Sequence, residues 1–281
     1  MDIVDFQAPS FKPDDLTWLG LRHLSATSIA MYMRCPNQFR FRYILGQKKR
    51  PGEALVIGTA VHSTLEWNFR QKIESHEDVS PAVLVEHFTA LGFPEGISKQ
   101  EGDGEIEWDA GQDEARKRGQ KMIEHYRHNV SERVQPIEVE TEFRINGLAP
   151  IPVIGYPDVV TEHQVIDYKT AKQLRRVVKP DWQLQGRLYS LVQEKPVDFH
   201  VLAHTGTLTP LEEAGLTITP TDLGKAAIRK LIENAAARME SDYNLYGPNE
   251  HWPTYGTINE MYNKAICAWC GWNAVCPGSG L

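Results

Sequence analysis

The sequence lacks any long hydrophobic run. Its apolar stretches are a few residues each and mean hydropathy is −0.41. A bilayer-crossing helix needs about 20 such residues, so a membrane-spanning chain is excluded. Cysteine is scarce, four in 281 residues, and nothing points to an oxidising compartment, which argues against a disulfide framework. The start, MDIVDFQAPS, has acids where a signal peptide has lysines. Secretion by that route is not expected, and a cytoplasmic, reducing location is. There is no Gly-x4-Gly-Lys-[Ser/Thr] phosphate loop, hence no fused nucleotide-driven motor. There is also no Gly-x-Ser-x-Gly elbow of a metal-free serine hydrolase. Internal repeats and low-complexity segments are missing too.

Positive charge is in deficit overall, with a formal net charge of −7. The deficit is local. Residues 95–114 carry eight acids against the single base Lys99, so the remainder is neutral. Residues 34–52 carry six bases and no acid, among them Arg34, Arg40 and Arg42; residues 169–179 carry five, Lys169, Lys172, Arg175, Arg176 and Lys179. Local patches, not the total, decide whether phosphate binds. The plain alternative for each patch is a solvated face.

Helix patterns, a compact β-rich stretch with a helix inserted, and a final helix predict a mixed α/β fold. Residues 1–24 read as an irregular lead-in and 25–281 as one domain. Ser25 to about Leu45 is helical with a break at Pro36. Gly58-Thr59 opens a second helix, capped by Thr59 and running to about Ile73. Residues 75–133 form a helical insertion around the acidic loop. Strands are expected at 137–145, 152–160, 164–169 and 197–204, with Glu162-His163 as a hairpin turn. Helices are expected from Asp181 and over about Thr221–Asn244, and the cysteine-rich tail spans 262–281.

The richest local pattern is Gly155-Tyr-Pro-Asp158 followed by Asp167-Tyr168-Lys169. On a strand, Asp167 and Lys169 share a side and Tyr168 points away. A hairpin brings Asp158 towards Asp167. Two converging carboxylates repel unless a hard cation lies between them, and Mg2+ takes such oxygen ligands. A lysine beside that ion holds an attacking water or neutralises a phosphate. These are the parts of metal-assisted phosphodiester hydrolysis. The same residues also fit a surface ion pair beside a turn. His62, with Glu66 at i+4 on the same helix face, adds an imidazole suited to Mn2+, or is simply a packed histidine. Gln185 and Tyr189 share a helix face, as residues at a core edge often do. Cys267, Cys270 and Cys276 form Cys-x2-Cys-x5-Cys, and Cys35 lies far upstream. Four thiolates make a zinc site or an iron–sulfur cluster, and either would fasten the two ends of the chain together.

In order, SATSIAMYMRCPNQFRFRY, GTAVH, VETEF, GYPD, DYKT, QGRLY and Cys-x2-Cys-x5-Cys-Pro together resemble the RecB-like branch of the PD-(D/E)XK nucleases. Its iron–sulfur members include CRISPR-adaptation exonucleases, the AddB nuclease domain and stand-alone phage relatives. The resemblance covers about residues 25–278. It implies a restriction-endonuclease-like core and a Mg2+- or Mn2+-dependent DNA exonuclease acting on single strands or ends. It implies His62, Asp158, Asp167 and the Tyr168 carbonyl as metal ligands, with Asp158, Asp167 and Lys169 catalytic. It places Gln185 and Tyr189 near the DNA, and makes Cys35, Cys267, Cys270 and Cys276 the ligands of a structural 4Fe-4S cluster. Arg34, Arg40, Arg42, Lys172, Arg175 and Arg176 are the expected DNA contacts. Homo-oligomers, or recombination or CRISPR partner proteins, are compatible with this reading. Two alternatives are a non-catalytic nucleic-acid-binding module and a subunit active only inside a complex.

Overall fold

Two backbone breaks organise this chain. Residues 137–145 alternate as one strand should, yet Glu140 adopts a left-handed φ of 49°. The segment therefore divides into β2 (Glu138–Val139) and β3 (Phe143–Asn146). The stretch 152–160 likewise divides into β4 (Val153–Gly155) and β5 (Val159–Val160), with Pro157, which lacks an N–H for a ladder bond, in the gap. In both cases the two halves join different sheets. Side-chain alternation reports half-burial but not which sheet does the burying, so the sequence reads each as one strand.

The computed structural model describes residues 2–5, 17–101, 104–173, 177–204, 217–254, 267, 270–272 and 275–276. They fall in two units, Met1–Lys49 with Phe143–Gly155 and Thr221–Leu281, and Arg50–Glu142 with Tyr156–Pro220. In the first unit, β1 (Asp2–Asp5) pairs in parallel with β3, which pairs antiparallel with β4. Helix α1 (Ala26–Arg34) starts where expected, because Ser25 and Ser28 form a reciprocal cap. The expected break falls at Cys35, which is extended (φ −162°), and Pro36 then opens the short α2 (Pro36–Phe39). The last helix of this unit, α8 (Asp222–Tyr246), is capped by Thr221, whose side chain accepts from the Gly224 N–H.

The second unit holds the mixed α/β core. Its longest helix, α3 (Glu53–Ser75), begins at Gly52, earlier than the expected Gly58-Thr59. Ala54 to Ile57 extend its apolar stripe, and Val56 and Ile57 are fully buried. Gly58 lies inside the helix: a Cβ there would come 3.2 Å from Thr170 Oγ1, so the missing side chain allows a close approach to the sheet. Helices α4 (Pro81–His87), α5 (Phe93–Glu101) and α6 (Gln112–Asn129) complete the expected helical insertion. Then come β6 (Val165–Ala171), α7 (Pro180–Gln193), β7 (Val197–Ala203) and β8 (Thr217–Ile218). The sheet order is β2-β5-β6-β7-β8, with β6 and β7 parallel and every other pair antiparallel. Among the described residues, no helix is long and apolar enough to cross a membrane.

Strand alternation divides the sheet into two buried faces. Phe199 stacks on Trp182 of α7, and a Cβ at Gly186 would come 2.7 Å from Ile218 and 2.9 Å from Phe199. Glycine is what lets α7 lie this close. On the other face His200 meets Tyr126 of α6, Nδ1 to the phenol oxygen at 2.8 Å. Burial holds that imidazole down at about 3, so it is neutral. Tyr168 packs there with Phe69, Tyr126 and His200. Asp167 and Lys169, in register with Phe199 and Val201, share the α7 face as the alternation requires.

Candidate functional site

Helix α3 carries His62 to Asp158, Nδ1 to Oδ1 at 2.8 Å. The second oxygen of Asp158 accepts from the Tyr168 N–H at 2.5 Å. That bond fixes the carboxylate of the Gly-Tyr-Pro-Asp turn to the strand bearing Asp167. Glu140 was not singled out from the sequence. Its N–H donates to the carbonyls of Pro157 (3.1 Å) and Asp158 (3.2 Å), and its left-handed backbone turns the carboxylate towards the same place. Ligand atoms of His62, Glu140 and Asp158 all lie within 4.8 Å of one another. Among the described residues this is the single such group of three or more His, Cys, Asp or Glu atoms. The only trace of Glu140 in the sequence is an acid in a half-buried strand just ahead of the Pro-Asp turn. A backbone φ of +49° at glutamate is sparsely populated, and such strain gathers at functional sites.

Asp167 stands beside this group but not within it, because its carboxylate pairs with Lys169 Nζ. That amine also donates to Gln185 Oε1 at 2.8 Å. Gln185 Nε2 donates to the Tyr189 hydroxyl at 2.8 Å, and that hydroxyl donates to the Tyr156 carbonyl at 2.9 Å. The relay runs from the lysine back to the turn that holds Asp158. Gln185 and Tyr189 are thus tied to Lys169, and Tyr189 is buried.

The acids are crowded. Burial and the neighbouring Asp158 push Glu140 up to about 8. Burial pushes Asp167 up to about 6, against the pull of Lys169. For Asp158, burial is outweighed by His62, Lys169 and the Tyr168 N–H, so its carboxyl is held low and it stays ionised. His62 is raised: burial opposes its charge, but Asp158 and Asp167 favour it more. One imidazole and two carboxylates, Glu140 reluctant to ionise and Asp158 charged, with Asp167 beside them, form a donor set that fits a hard divalent cation. An open trough of about 470 Å³, lined by Gly58, Thr59, His62, Glu66, Glu140 and Thr170 among others, leads to it.

A pH dependence follows. An ion binding Glu140 must displace the proton it holds below about pH 8. Mn2+ affinity is expected to fall by at least about tenfold per pH unit from pH 8 towards 6, one proton leaving Glu140 and another leaving His62 where its imidazole is protonated. Glu140→Gln should flatten that slope and weaken binding at pH 8. Calorimetric titration with Mn2+ checks this, and a pH-independent wild-type affinity would contradict it.

The expected DNA contacts divide. Arg40 is buried, and its guanidinium donates to the carbonyls of Pro248 and Asn249 (2.8 Å each) and to Asn37 Oδ1 (3.3 Å). These donors are spent inside the fold. Arg34 Nε donates to Gln38 at 3.2 Å. Arg42 is half-buried and Lys172 is exposed and paired with Asp109. Arg175 and Arg176 lie outside the described residues. Cys35 is buried, while Cys267, Cys270 and Cys276 are half-buried. The Cys267 thiol is pushed up by burial and by the nearby Cys35, Cys270 and Cys276. Asn37 Nδ2 lies 3.3 Å from Cys276 Sγ. No three of the cysteine sulfurs come within the 4.8 Å that the His62 group meets.

No curated protein matches this chain in sequence. Among solved proteins, the crystal structure of SSO0001 is 15% identical, with 77% of this chain and 98% of that one covered at a TM-score of 0.35. The model of one family, the PD-(D/E)XK nuclease superfamily, matches residues 23–277. That span takes in α1, the His62 helix, both acidic strands, the Lys169 relay and the cysteines, and the chain belongs to the PD-(D/E)XK nuclease superfamily.

Proposed function

We propose that this protein is a Mg2+- or Mn2+-dependent deoxyribonuclease of the RecB-like, iron–sulfur branch, an exonuclease acting on single-stranded DNA or DNA ends. The observation that carries the metal-dependent reading is the convergence of His62, Glu140 and Asp158 beside the Asp167–Lys169 pair. His62, Glu140, Asp158 and Asp167 would hold the cation, with the Tyr168 carbonyl as a further ligand. A bound cation supplies Lewis-acid polarisation of the scissile phosphate and lowers the pKa of a water. The protein's own part is positional. Asp158 stays charged, the Tyr168 N–H fixes its orientation, and Lys169 offers an ammonium whose direction is set by Gln185. Lys169 stabilises charge at the phosphate and orients the nucleophile. Exonuclease specificity rests on the order of the sequence motifs.

Cys35, Cys267, Cys270 and Cys276 would hold a structural 4Fe-4S cluster in the first unit. Support comes from the nearness of Cys35, Cys270 and Cys276 to Cys267, whose thiol they help push up. A cube presents its irons at separate corners, so its thiolates stand further apart than the ligands of one ion. Thiolates kept as cluster ligands accord with a reducing, cytoplasmic setting.

One preparation tests both parts. Protein purified without oxygen should absorb in the visible, and Cys270→Ala should lose that band. With Mn2+ it should shorten end-labelled linear single strands and spare a closed circle. Circles cut as fast as linear strands would refute the exonuclease assignment. A colourless protein carrying stoichiometric zinc would refute the cluster.

A further inference from the structure

The acidic stretch has no place in the proposed mechanism, yet its position is specific. Residues 105–109 run alongside the start of α3. Glu107 N–H donates to the Pro51 carbonyl at 2.8 Å, and Glu53 N–H donates to the Glu107 carbonyl at 2.9 Å. Gly52 and Glu107 form a parallel bridge. The segment alternates like a strand. Ile106 and Trp108 pack against the core, Trp108 with its ring 6.3 Å from Phe93. Glu105, Glu107 and Asp109 fall on the other side.

Those three acids meet two cations. Arg50 pairs with Glu105 and, at 3.5 Å, with Glu107, and its Nε donates to the Glu105 carbonyl at 3.0 Å. Lys172 pairs with Asp109. Arg50 lies four residues before Ala54 and Lys172 two beyond Thr170, and both Ala54 and Thr170 line the trough that contains His62. Every side chain in these pairs is more than half exposed. Pairs of that kind hold weakly in water and are screened by salt. The backbone bonds to residues 51 and 53 and the half-buried Trp108 keep the segment in place when its carboxylates let go.

We propose that segment 105–109 is a built-in polyanion: Glu105, Glu107 and Asp109 occupy Arg50 and Lys172, and the phosphates of a nucleic-acid strand compete for the same two cations. This rests on the reading that the chain acts on nucleic acid. The competition raises the threshold for weak or short ligands, which cannot displace several acids at once. A long strand at the trough displaces all three.

The test is the salt dependence of binding to a labelled single-stranded oligonucleotide short enough to leave the wild-type acids on Arg50 and Lys172, measured with Ca2+ in place of Mn2+. The variant Glu105→Gln/Glu107→Gln/Asp109→Asn leaves the backbone contacts intact. Each freed cation adds about 0.7 to the slope of log K against log salt. The variant should bind more tightly and show a slope steeper by about 1.4. Its advantage then shrinks about sevenfold between 50 and 200 mM salt. Adding Arg50→Gln and Lys172→Gln to the triple variant should return the slope to that of wild type. The control Glu77→Gln/Glu86→Gln/Glu124→Gln removes the same charge without touching either cation, and its slope should match wild type. If the triple variant and wild type share one slope, or the control steepens equally, the proposal is overturned while the nuclease reading stands. If wild type neither binds nor cuts DNA with Mn2+, the nuclease reading falls and the proposal falls with it.

Discussion

Lys169→Met is expected to give a folded, Mn2+-binding protein whose hydrolysis of DNA is slower by about 10²–10⁴-fold. The side chain is 16% exposed, pairs with Asp167, donates to Gln185 and lies 5.8 Å from the centre of the Phe199 ring. Methionine keeps the length and the packing and removes only the charge and its donors. The loss therefore belongs to the chemical step and appears in single-turnover rates at saturating Mn2+, not in the midpoint of the Mn2+ titration. Asp167→Asn should act differently. It removes a proposed ligand and leaves Lys169 without its counter-charge, so metal affinity and rate should fall together. Gln185→Ala leaves both reacting groups in place and frees the lysine from its acceptor. Such supporting contacts typically cost about 10–100-fold. Tyr189→Phe removes the acceptor of Gln185 Nε2 and the link to the Tyr156 carbonyl but leaves Gln185 on Lys169, and should cost less than Gln185→Ala. A Lys169→Met rate within a few fold of wild type would remove the lysine from the mechanism.

What could be read from the sequence follows from what alternation and spacing encode. Asp167-Tyr168-Lys169 was legible because a strand has a period of two: the charged pair faces α7 and Tyr168 faces Phe69 and Tyr126. The helix start at Ser25, the break beside Pro36 and the Thr221 start of α8 were legible because they are local chemistry. Glu140 was not. Its role depends on a left-handed φ and on two carbonyls supplied by the Pro157-Asp158 turn, and neither leaves a pattern in neighbouring residues. The burial of Arg40 was not legible either, for a related reason. A run of bases looks solvated until the chain returns from Pro248 and Asn249 to cover one of them. The acidic stretch posed the opposite problem: its charges were plain, but their partners, Arg50 and Lys172, lie far away in sequence.

Lys72→Met is expected to destabilise the second unit by about 3–5 kcal/mol, a fall in its melting temperature on the order of 10 °C. Lys72 and Asp78 form an ion pair at 2.8 Å with side chains 3% and 2% exposed. The ammonium also donates to the Ser131 carbonyl at 2.8 Å. The other Asp78 oxygen accepts from Asn68 Nδ2 and Ser131 Oγ, at 2.6 Å each. Asn68 Oδ1 in turn accepts from the Val79 N–H at 3.0 Å. This network fastens the last turns of α3, the helix that positions His62, to the loop before α4 and the segment after α6. Methionine in place of lysine would leave a carboxylate buried without its cation, which is the expensive half of the exchange. Lys72→Met/Asp78→Leu removes both charges and should recover much of the loss, so a double-mutant cycle separates the pair from the cost of orphaning one member. The pH dependence has a definite sign. Burial raises the Asp78 pKa, but hydrogen bonds from Lys72, Ser131 and Asn68 outweigh it and hold the carboxyl low. Its stabilisation is therefore complete above the ordinary aspartate pKa of about 4 and is lost as pH falls through the lowered folded value. Urea unfolding of wild type and Asp78→Asn should differ most at neutral pH and converge in acid. A difference that grows as pH drops would show that the carboxylate is not what this network stabilises.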